Sequence, residues 1–226
     1  MFDWLTGLFT PEVMGMIGQG IVETLYMTLA STVLSYVFGL PLGILLVVTD
    51  RDGIFPMRIL NGVIGVIVNI LRSVPFLILL VAVIPLTRAL VGTSIGSTAT
   101  IVPLVIAAAP FIARLVESSI KEVDKGVIEA AQSMGASPFQ IIWKVMLPEA
   151  RPSLVVGSAI AITTILSYSA MAGFVGGGGL GDLAIKYGYY RYQNDVMLIT
   201  VLVLVVLVQI FQEVGMRLAK IGDKRI

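Results

Sequence analysis

Residues 21–48 read IVETLYMTLASTVLSYVFGLPLGILLVV, an apolar run in which Glu23 is the only charged side chain. A helix needs about 20 mainly apolar residues to cross the hydrocarbon core of a bilayer. Four further runs approach or exceed that length, at 59–84, 101–116, 154–175 and 196–214. The run at 101–116 is short and contains Pro103 and Pro110, which neighbouring helices can accommodate in a membrane. The sequence therefore predicts an all-α membrane protein with five transmembrane helices.

The composition agrees with a membrane protein and excludes several other classes. Of the 226 residues, 57% are hydrophobic and 13% are charged, whereas soluble domains have about 45–50% apolar and about 25% charged residues. The chain has no Cys and no His, so disulfides, thiolate zinc sites and histidine bases are excluded. A formal net charge of +1 gives no basic field for nucleic acid.

The amino-terminal segment lacks the features of a cleavable signal. Asp3 and Glu12 lie where a signal peptide has its positive charges. We therefore expect residues 1–16 to remain as an external interfacial segment. The aromatic and aliphatic side chains that suit an interface there are Phe2, Trp4, Leu5, Leu8 and Phe9.

Basic residues predict the orientation of the chain in the membrane. Five spans divide the remaining sequence into two alternating sets of segments, and one set holds eleven of the 15 Lys and Arg residues. Those eleven are Arg51, Arg58, Arg114, Lys121, Lys125, Lys144, Arg151, Arg217, Lys220, Lys224 and Arg225. The other set has Arg88, Lys186 and Arg191, and Arg72 lies inside a span. Because basic loops stay in the cytoplasm, the N-terminus is expected outside, and the C-terminal tail, residues 216–226, inside.

The segment 117–151 is the one long stretch between spans that is charged and amphipathic. By the same charge count it is cytoplasmic, and it reads as two short helices. Val123, Val127, Ala131 and Met134 recur on one face of the first helix. Gly135 then occupies the position of a left-handed helix stop.

The second short helix has a strong start signal at Ser137-Pro138. Ser137 is a typical N-cap, Pro138 suits the first helical position, and Gln140 can close a capping box. The predicted apolar face consists of Phe139, Ile142, Trp143 and Met146, and Leu147-Pro148 is expected to end the helix. On periodicity alone, the two helices equally fit an amphipathic pair on the lipid headgroups.

Five stretches, at 72–76, 129–148, 167–173, 175–182 and 187–191, resemble the permeases of methionine-type ABC importers, and the likeness extends over roughly residues 15–220. Glu129-Ala130-Ala131, Gly135 and Leu147-Pro148 have the spacing of the EAA motif of ABC-transporter membrane subunits. Residues 72–76, RSVPF, resemble the Arg-Ser-x-Pro-Phe element of the methionine subfamily. The stretches SYSAMAG at 167–173, VGGGGLGD at 175–182 and YGYYR at 187–191 are similar to the same subfamily.

The resemblance implies a type I ABC importer permease whose transmembrane domain covers residues 17–215. The bend in segment 117–151 would be the coupling helix that docks on the ATP-binding subunit. Its implied coupling residues are Glu129, Ala130, Ala131, Gly135 and Ser137. The implied partners are a second copy of the chain, two ATP-binding subunits, an external methionine-binding lipoprotein and membrane lipid. ATP and Mg would bind the partner subunit, and this chain would hold no cofactor.

Several residues inside the spans are candidates for the translocation pathway or its gate. They are Arg72, Pro75, Phe76, Ser167, Tyr168, Ser169 and Met171. A charge such as Arg72 within a span must pair or face a cavity, which fits either a site for a substrate carboxylate or an interhelical ion pair. Pro75 is interpreted as a kink. The small residues around Met171 fit close helix packing, a gate at a dimer axis, or both.

Rival functions are less consistent with the sequence. No G-x-x-x-x-G-K-[ST] motif is present, so ATP hydrolysis by a P-loop in this chain is excluded. The glycines at 176, 178 and 181 match a dinucleotide fingerprint, but they follow a membrane helix rather than a strand.

An ion-coupled secondary transporter remains the main alternative, although such carriers usually show paired repeats and intramembrane acids. The second alternative is a permease for another small amino acid or metabolite in the same ABC class. Ser167 and Ser169 have no His to activate them as hydrolase nucleophiles.

Overall fold

A computed structural model describes residues 10–222, with side chains up to Lys220. Every regular element in residues 10–222 is helical. The predicted interfacial side chains at positions 2–9 lie outside the described residues, as do Lys224 and Arg225. The α-helices are α1 (Pro11–Val48), α2 (Arg58–Ser73), α3 (Phe76–Ala82), α4 (Ile84–Val91), α5 (Ser97–Lys121), α6 (Lys125–Ser133), α7 (Pro138–Ile141), α8 (Leu147–Glu149), α9 (Arg151–Met171), α10 (Gly179–Leu183) and α11 (Asn194–Gly222). A 3₁₀ turn occupies Ala172–Val175, and π-helical segments occupy Ile142–Met146 and Ala184–Tyr189.

Four helical segments of the described chain are long and apolar enough to cross a membrane. They are Pro11–Val48, Ser97–Lys121, Arg151–Tyr189 and Asn194–Lys220. A fifth span results if α2 and α3, which bend by 100° at their junction, are counted together. The all-helical membrane fold is therefore confirmed, with four or five spans in the described residues.

The predicted span at 59–84 is broken rather than continuous. Helix α2 ends at Ser73, and Val74 is extended, with φ −79° and ψ 123°. Pro75 explains the break, because proline has no N–H to donate and disfavours the helical conformation of the residue before it. Helix α3 then begins at Phe76. The structure thus places the second span's proline at a sharp bend.

The other helices extend beyond the predicted spans. Helix α1 begins at Pro11, so part of the segment expected at the interface is continuous with the first span. At 38 residues it is about 57 Å long at 1.5 Å per residue, which exceeds the hydrocarbon thickness. Helix α11 continues to Gly222, so much of the predicted C-terminal tail is helical.

The chain forms two compact units. The first contains residues 10–33, 75–106 and 162–211, and its core includes Met27, Leu104 and Ile165, each fully buried. The second contains residues 34–74, 107–161 and 212–222, with Ile112 and Ile120 in its core. Each unit draws its residues from widely separated parts of the sequence.

Glycines allow close helix packing in the second unit. A Cβ atom added at Gly39 of α1 would lie 2.7 Å from the carbonyl oxygen of Ala109 on α5. One turn further, a Cβ at Gly43 would lie 2.6 Å from the oxygen of Ala113. Small residues four apart let two helix backbones approach without lipid between them. This contact holds α1 against α5.

Candidate functional site

The segment between α5 and α9 is the best-defined candidate site, and we call residues 122–150 the docking segment. Asp124 begins α6 as its N-cap, and its carboxylate accepts a hydrogen bond from the Gly126 N–H at 2.6 Å. Helix α6 ends at Ser133, and Gly135 follows two residues later with a left-handed φ of 77°. The N–H of Ala136 then donates to the carbonyl of Ala131 at 3.1 Å. This is the C-terminal motif that the glycine predicted.

The capping box at Ser137 is confirmed. The Gln140 N–H donates to the Ser137 hydroxyl at 3.4 Å, and the Ser137 N–H donates to the Gln140 side-chain oxygen at 2.9 Å. Because these reciprocal bonds fix the first turn of α7, they also fix the angle at which the chain leaves Gly135. The sharp turn between α6 and α7 is thus locally encoded.

The apolar face predicted for the docking segment is only partly buried. Ala131 and Met146 are buried, whereas Met134, Phe139 and Trp143 are 82%, 72% and 62% exposed. The rings of Phe139 and Trp143 stack in parallel, with centroids 6.3 Å apart. The sequence predicted that Met134 lies on the apolar face of the first short helix and Phe139 and Trp143 on that of the second, and it left open what covers those faces. Helical periodicity identifies an apolar face but not whether this chain or a partner covers it.

The prediction that Leu147-Pro148 ends the second helix was wrong. Residues Ile142–Met146 form a π-helical segment, α8 follows at Leu147–Glu149, and α9 begins at Arg151. The Leu147 N–H donates to the carbonyl of Ile142, five residues back. This wider turn accommodates Pro148, whose ring would clash with the preceding turn of a regular α-helix. The helical path therefore runs from the docking segment into α9.

The coupling residues implied by the EAA resemblance differ in accessibility. Glu129 and Ala130 are exposed on α6, and Ala131 is buried. Gly135 is exposed, and a Cβ added there would meet nothing within 4 Å. Only the backbone conformation of Gly135, and not crowding, therefore restricts substitution.

A charge network at the end of α5 was not anticipated from the sequence. Arg114 binds the Glu117 carboxylate at 2.6 Å, and Lys121 binds the same carboxylate at 2.9 Å. Lys121 also binds Asp50, in the α1–α2 loop, at 2.7 Å. The hydrogen bond from Lys121 is the largest of the effects that lower the pKa of Asp50 below its ordinary value. Spacings of three and four within α5 favour such pairs, but the Asp50 partner is remote in sequence.

The candidate pathway residues are divided between buried and exposed positions. Phe76 is 7% exposed and stacks on Tyr168, with ring centroids 4.6 Å apart and planes 4° apart. Ser169 is buried, and its hydroxyl donates to the Leu166 carbonyl at 2.7 Å. Ser167 is exposed and bonds the Thr163 carbonyl at 3.0 Å. Met171, at the end of α9, is 42% exposed.

Arg72 is exposed in the last turn of α2, one residue before the helix ends. Within residues 10–222 no hydrogen bond or ion pair involves its guanidinium group. An intrachain ion pair therefore does not account for its charge in the described part of the chain.

The glycine-rich stretch 176–181 is tightly packed. The Gly179 N–H donates to Glu23 at 2.7 Å, and the Leu180 N–H donates to the Thr24 hydroxyl at 2.9 Å. Thr100 donates to the Gly177 carbonyl at 3.2 Å. Glu23, the acid within the first span, therefore serves as an anchor for this turn. Because these backbone groups are bonded to side chains of the same chain, we interpret the glycines as a structural turn and not as a dinucleotide site.

These features define a class of protein: a helical membrane protein whose segment between two spans presents an exposed apolar surface. The chain belongs to the family of binding-protein-dependent transport system inner membrane components, whose model matches residues 37–226. It is therefore a multi-pass inner membrane protein of a bacterial transport system.

Curated relatives and a solved structure cover nearly the whole chain. The probable D-methionine transport system permease protein MetI of Vibrio cholerae is 53% identical over 90% of this chain and 90% of its own length. The methionine import system permease protein MetP of Bacillus subtilis is 45% identical over 90% of this chain and 91% of its own. A chain of the MetNI methionine ABC transporter, solved in inward-facing conformations, matches with a TM-score of 0.94. It is 47% identical, and the match covers 96% of this chain and 100% of that one.

Proposed function

We propose that this chain is the membrane-spanning permease subunit of an ATP-driven importer that moves methionine, L- and D-, into the cytoplasm. The single observation that carries the proposal is the pair of relatives above, named as methionine permeases and matched over nine-tenths of their length. Methionine is a flexible amino acid without a charged side chain, so its charged ends and its thioether are the groups a pathway must accommodate.

The docking segment is the proposed contact with a separate ATP-binding subunit. The exposed side chains of Met134, Phe139 and Trp143 support this assignment, because large apolar groups on a charged, non-membrane segment indicate a partner surface. Aromatic residues and methionine are enriched in protein interfaces. ATP and Mg would bind the partner, since this chain has no P-loop motif.

The proposed assembly contains two copies of this chain, two ATP-binding subunits and an external binding protein. The N-terminus lies outside and the C-terminus inside, which is supported by the eleven-to-three distribution of basic residues. ATP binding would favour one of two permease conformations, and substrate would be released from the other. Such a mechanism requires only that each ligand binds the two states with different affinity.

The pathway assignment gives separate roles to its residues. Arg72 is proposed to meet the substrate carboxylate, because it is exposed and unpaired within the described residues. Pro75 and Phe76 would set the bend beside it, with the ring of Phe76 held by Tyr168. Ser167, Ser169 and Met171 would belong to the gate, where Met171 is the exposed apolar side chain.

ATP hydrolysis by the purified complex tests the proposal. The chain is co-expressed with its ATP-binding subunit and reconstituted in nanodiscs with the external binding protein. We expect L- or D-methionine to stimulate hydrolysis, with alanine and lysine as control amino acids. Stimulation by other amino acids but not by methionine would contradict the substrate assignment and retain the transporter class.

A further inference from the structure

The charge network at the end of α5 connects three elements of the second unit. Arg114 donates through one terminal nitrogen to Glu117 on its own helix. Its other terminal nitrogen donates to two groups on α2, the Asn69 side chain at 2.8 Å and the Gly65 carbonyl at 3.2 Å. Lys121 extends the network to Asp50 of the α1–α2 loop. One guanidinium group therefore joins α5 to α2.

Stability alone does not account for this network. The Glu117 side chain is only 12% exposed and that of Arg114 is 26% exposed. Partly buried ion pairs are often no more stabilising than well-packed apolar residues. The Nε atom of Arg114 is moreover buried without a hydrogen-bond partner among the described residues, which leaves part of its desolvation cost uncompensated. The geometry of the guanidinium fork is the property that an apolar residue would not supply.

The network lies directly beside the docking segment. Only residues 122–124 separate Lys121, the last residue of α5, from Lys125, the first residue of α6. A cavity of about 430 Å³ is lined by Asp50 and Ile54 of the α1–α2 loop and by Ile128 and Glu129 of α6. The low pKa of Asp50 keeps its carboxylate ionised at neutral pH. The α1–α2 loop, which holds Asp50, and helix α6 therefore line one cavity beside the charged end of α5.

We propose that Arg114 and Asn69 are positioning residues that transmit movement of the docking segment to helix α2. The inference rests on the proposed function, since it takes the docking segment as the contact with the ATP-binding subunit. Arg114 ties the end of α5 to the middle of α2, so that the two helices move together. Helix α2 carries Arg72 in its last turn, and its displacement moves that charge. Rigid helices joined by a hydrogen-bonded network are a physical route for such coupling.

Two substitutions weaken this tie without removing the ion pair. Arg114→Lys retains a positive charge for Glu117 but loses the fork that reaches α2. Asn69→Ala removes the side-chain acceptor at an exposed position of α2 and leaves the bond to the Gly65 carbonyl. The matched control is Arg217→Lys, because Arg217 pairs with Glu213 at 2.6 Å within the single helix α11. A double variant, Arg114→Lys with Asn69→Ala, tests whether the two residues act as a unit.

The complex of this chain with its ATP-binding subunit is used, with a fluorophore on a cysteine at Ile67, an exposed position of α2. We expect both single variants to co-purify with the ATP-binding subunit and to hydrolyse ATP. The ATP-dependent fluorescence change should fall roughly threefold to tenfold, as should methionine transported per ATP hydrolysed, a range typical of coupling residues. The double variant should be no worse than the Arg114→Lys single variant, and Arg217→Lys should match the parent.

Distinct outcomes overturn the inference and the proposed function. An unchanged fluorescence response in both single variants, or additive losses in the double variant, would overturn the transmission role. If the parent complex shows the ATP-dependent fluorescence change but transports no methionine, the substrate assignment is wrong and the transmission role is retained. A parent complex with no ATP response would overturn both.

Discussion

Phe76 and Tyr168 stack face to face although 91 residues separate them, with ring centroids 4.6 Å apart. The contact joins the first turn of α3, just after the Pro75 bend, to α9. We expect Phe76→Ala to lower the thermal unfolding temperature of the detergent-solubilised permease, because a buried Phe→Ala change costs about 3–5 kcal/mol. Tyr168→Phe retains the stacked ring and should shift that temperature little. Equal losses in the two variants would show that the Tyr168 hydroxyl, not the stack, matters.

Gly135 is predicted to be required for its backbone conformation. Gly135→Val should prevent co-purification of the ATP-binding subunit, since a left-handed conformation costs ordinary residues about 1–2 kcal/mol and β-branched ones more. Gly135→Asn is the control, because Asn tolerates this conformation and the site has room for a side chain. Retention of the subunit by the Val variant would contradict the role of this turn.

The exposed rings of Phe139 and Trp143 predict that a substitution there weakens binding of the ATP-binding subunit without lowering the stability of the permease. Trp143→Ala should weaken binding of the ATP-binding subunit at least about tenfold, the loss expected for an aromatic anchor in an interface. Because Trp143 is 62% exposed, the unfolding temperature of the isolated permease should hardly change. Ile141→Ala is the contrasting variant, since Ile141 is 2% exposed and its truncation should destabilise the fold. Normal binding by the Trp143 variant would remove this residue from the docking surface.

The topology can be tested by thiol labelling, because the chain has no native cysteine. Cysteines at Thr93 and Tyr190, both exposed, should react with a membrane-impermeant reagent in intact cells. Cysteines at Lys125 and Met134 should react only after the cells are permeabilised. The reverse pattern would place the docking segment outside and exclude contact with a cytoplasmic ATPase.

Met171 is predicted to lie near a second copy of the chain. It is 42% exposed within a group of small residues, Ser169, Ala170, Ala172 and Gly173. A cysteine at position 171 should cross-link between two copies, and Met171→Ala should raise ATP hydrolysis in the absence of substrate. If position 171 neither cross-links nor affects hydrolysis, this methionine is an ordinary packing residue and the gate lies elsewhere.

Local signals in the sequence predicted local structure well. Gly135 and the Ser137 capping box define the turn in the docking segment through contacts within a few residues. Pro75 let the sequence predict a bend in the second span, but not its angle of 100°. A proline in a membrane span can either kink a helix or interrupt it. Periodicity alone did not distinguish the buried Met146 from the exposed Trp143, since both belong to the predicted apolar face.

Long-range contacts were not predictable from one sequence. The partners of Arg114 on α2 and of Lys121 in the α1–α2 loop depend on how helices distant in the chain are packed. The same holds for Glu23, which the sequence showed only as an acid within a span and which the structure places on the Gly179 N–H. Residue type indicates which side chains need a partner, whereas the fold determines which partner they find.

Uptake into proteoliposomes tests the central claim, that this chain is the permease of an ATP-driven methionine importer, most directly. The chain is reconstituted with its ATP-binding subunit and external binding protein, and labelled methionine is followed with ATP supplied on the side of that subunit. We predict accumulation that requires ATP and persists when ionophores collapse all ion gradients. Accumulation that requires an ion gradient and proceeds without ATP would contradict the account and identify a secondary transporter.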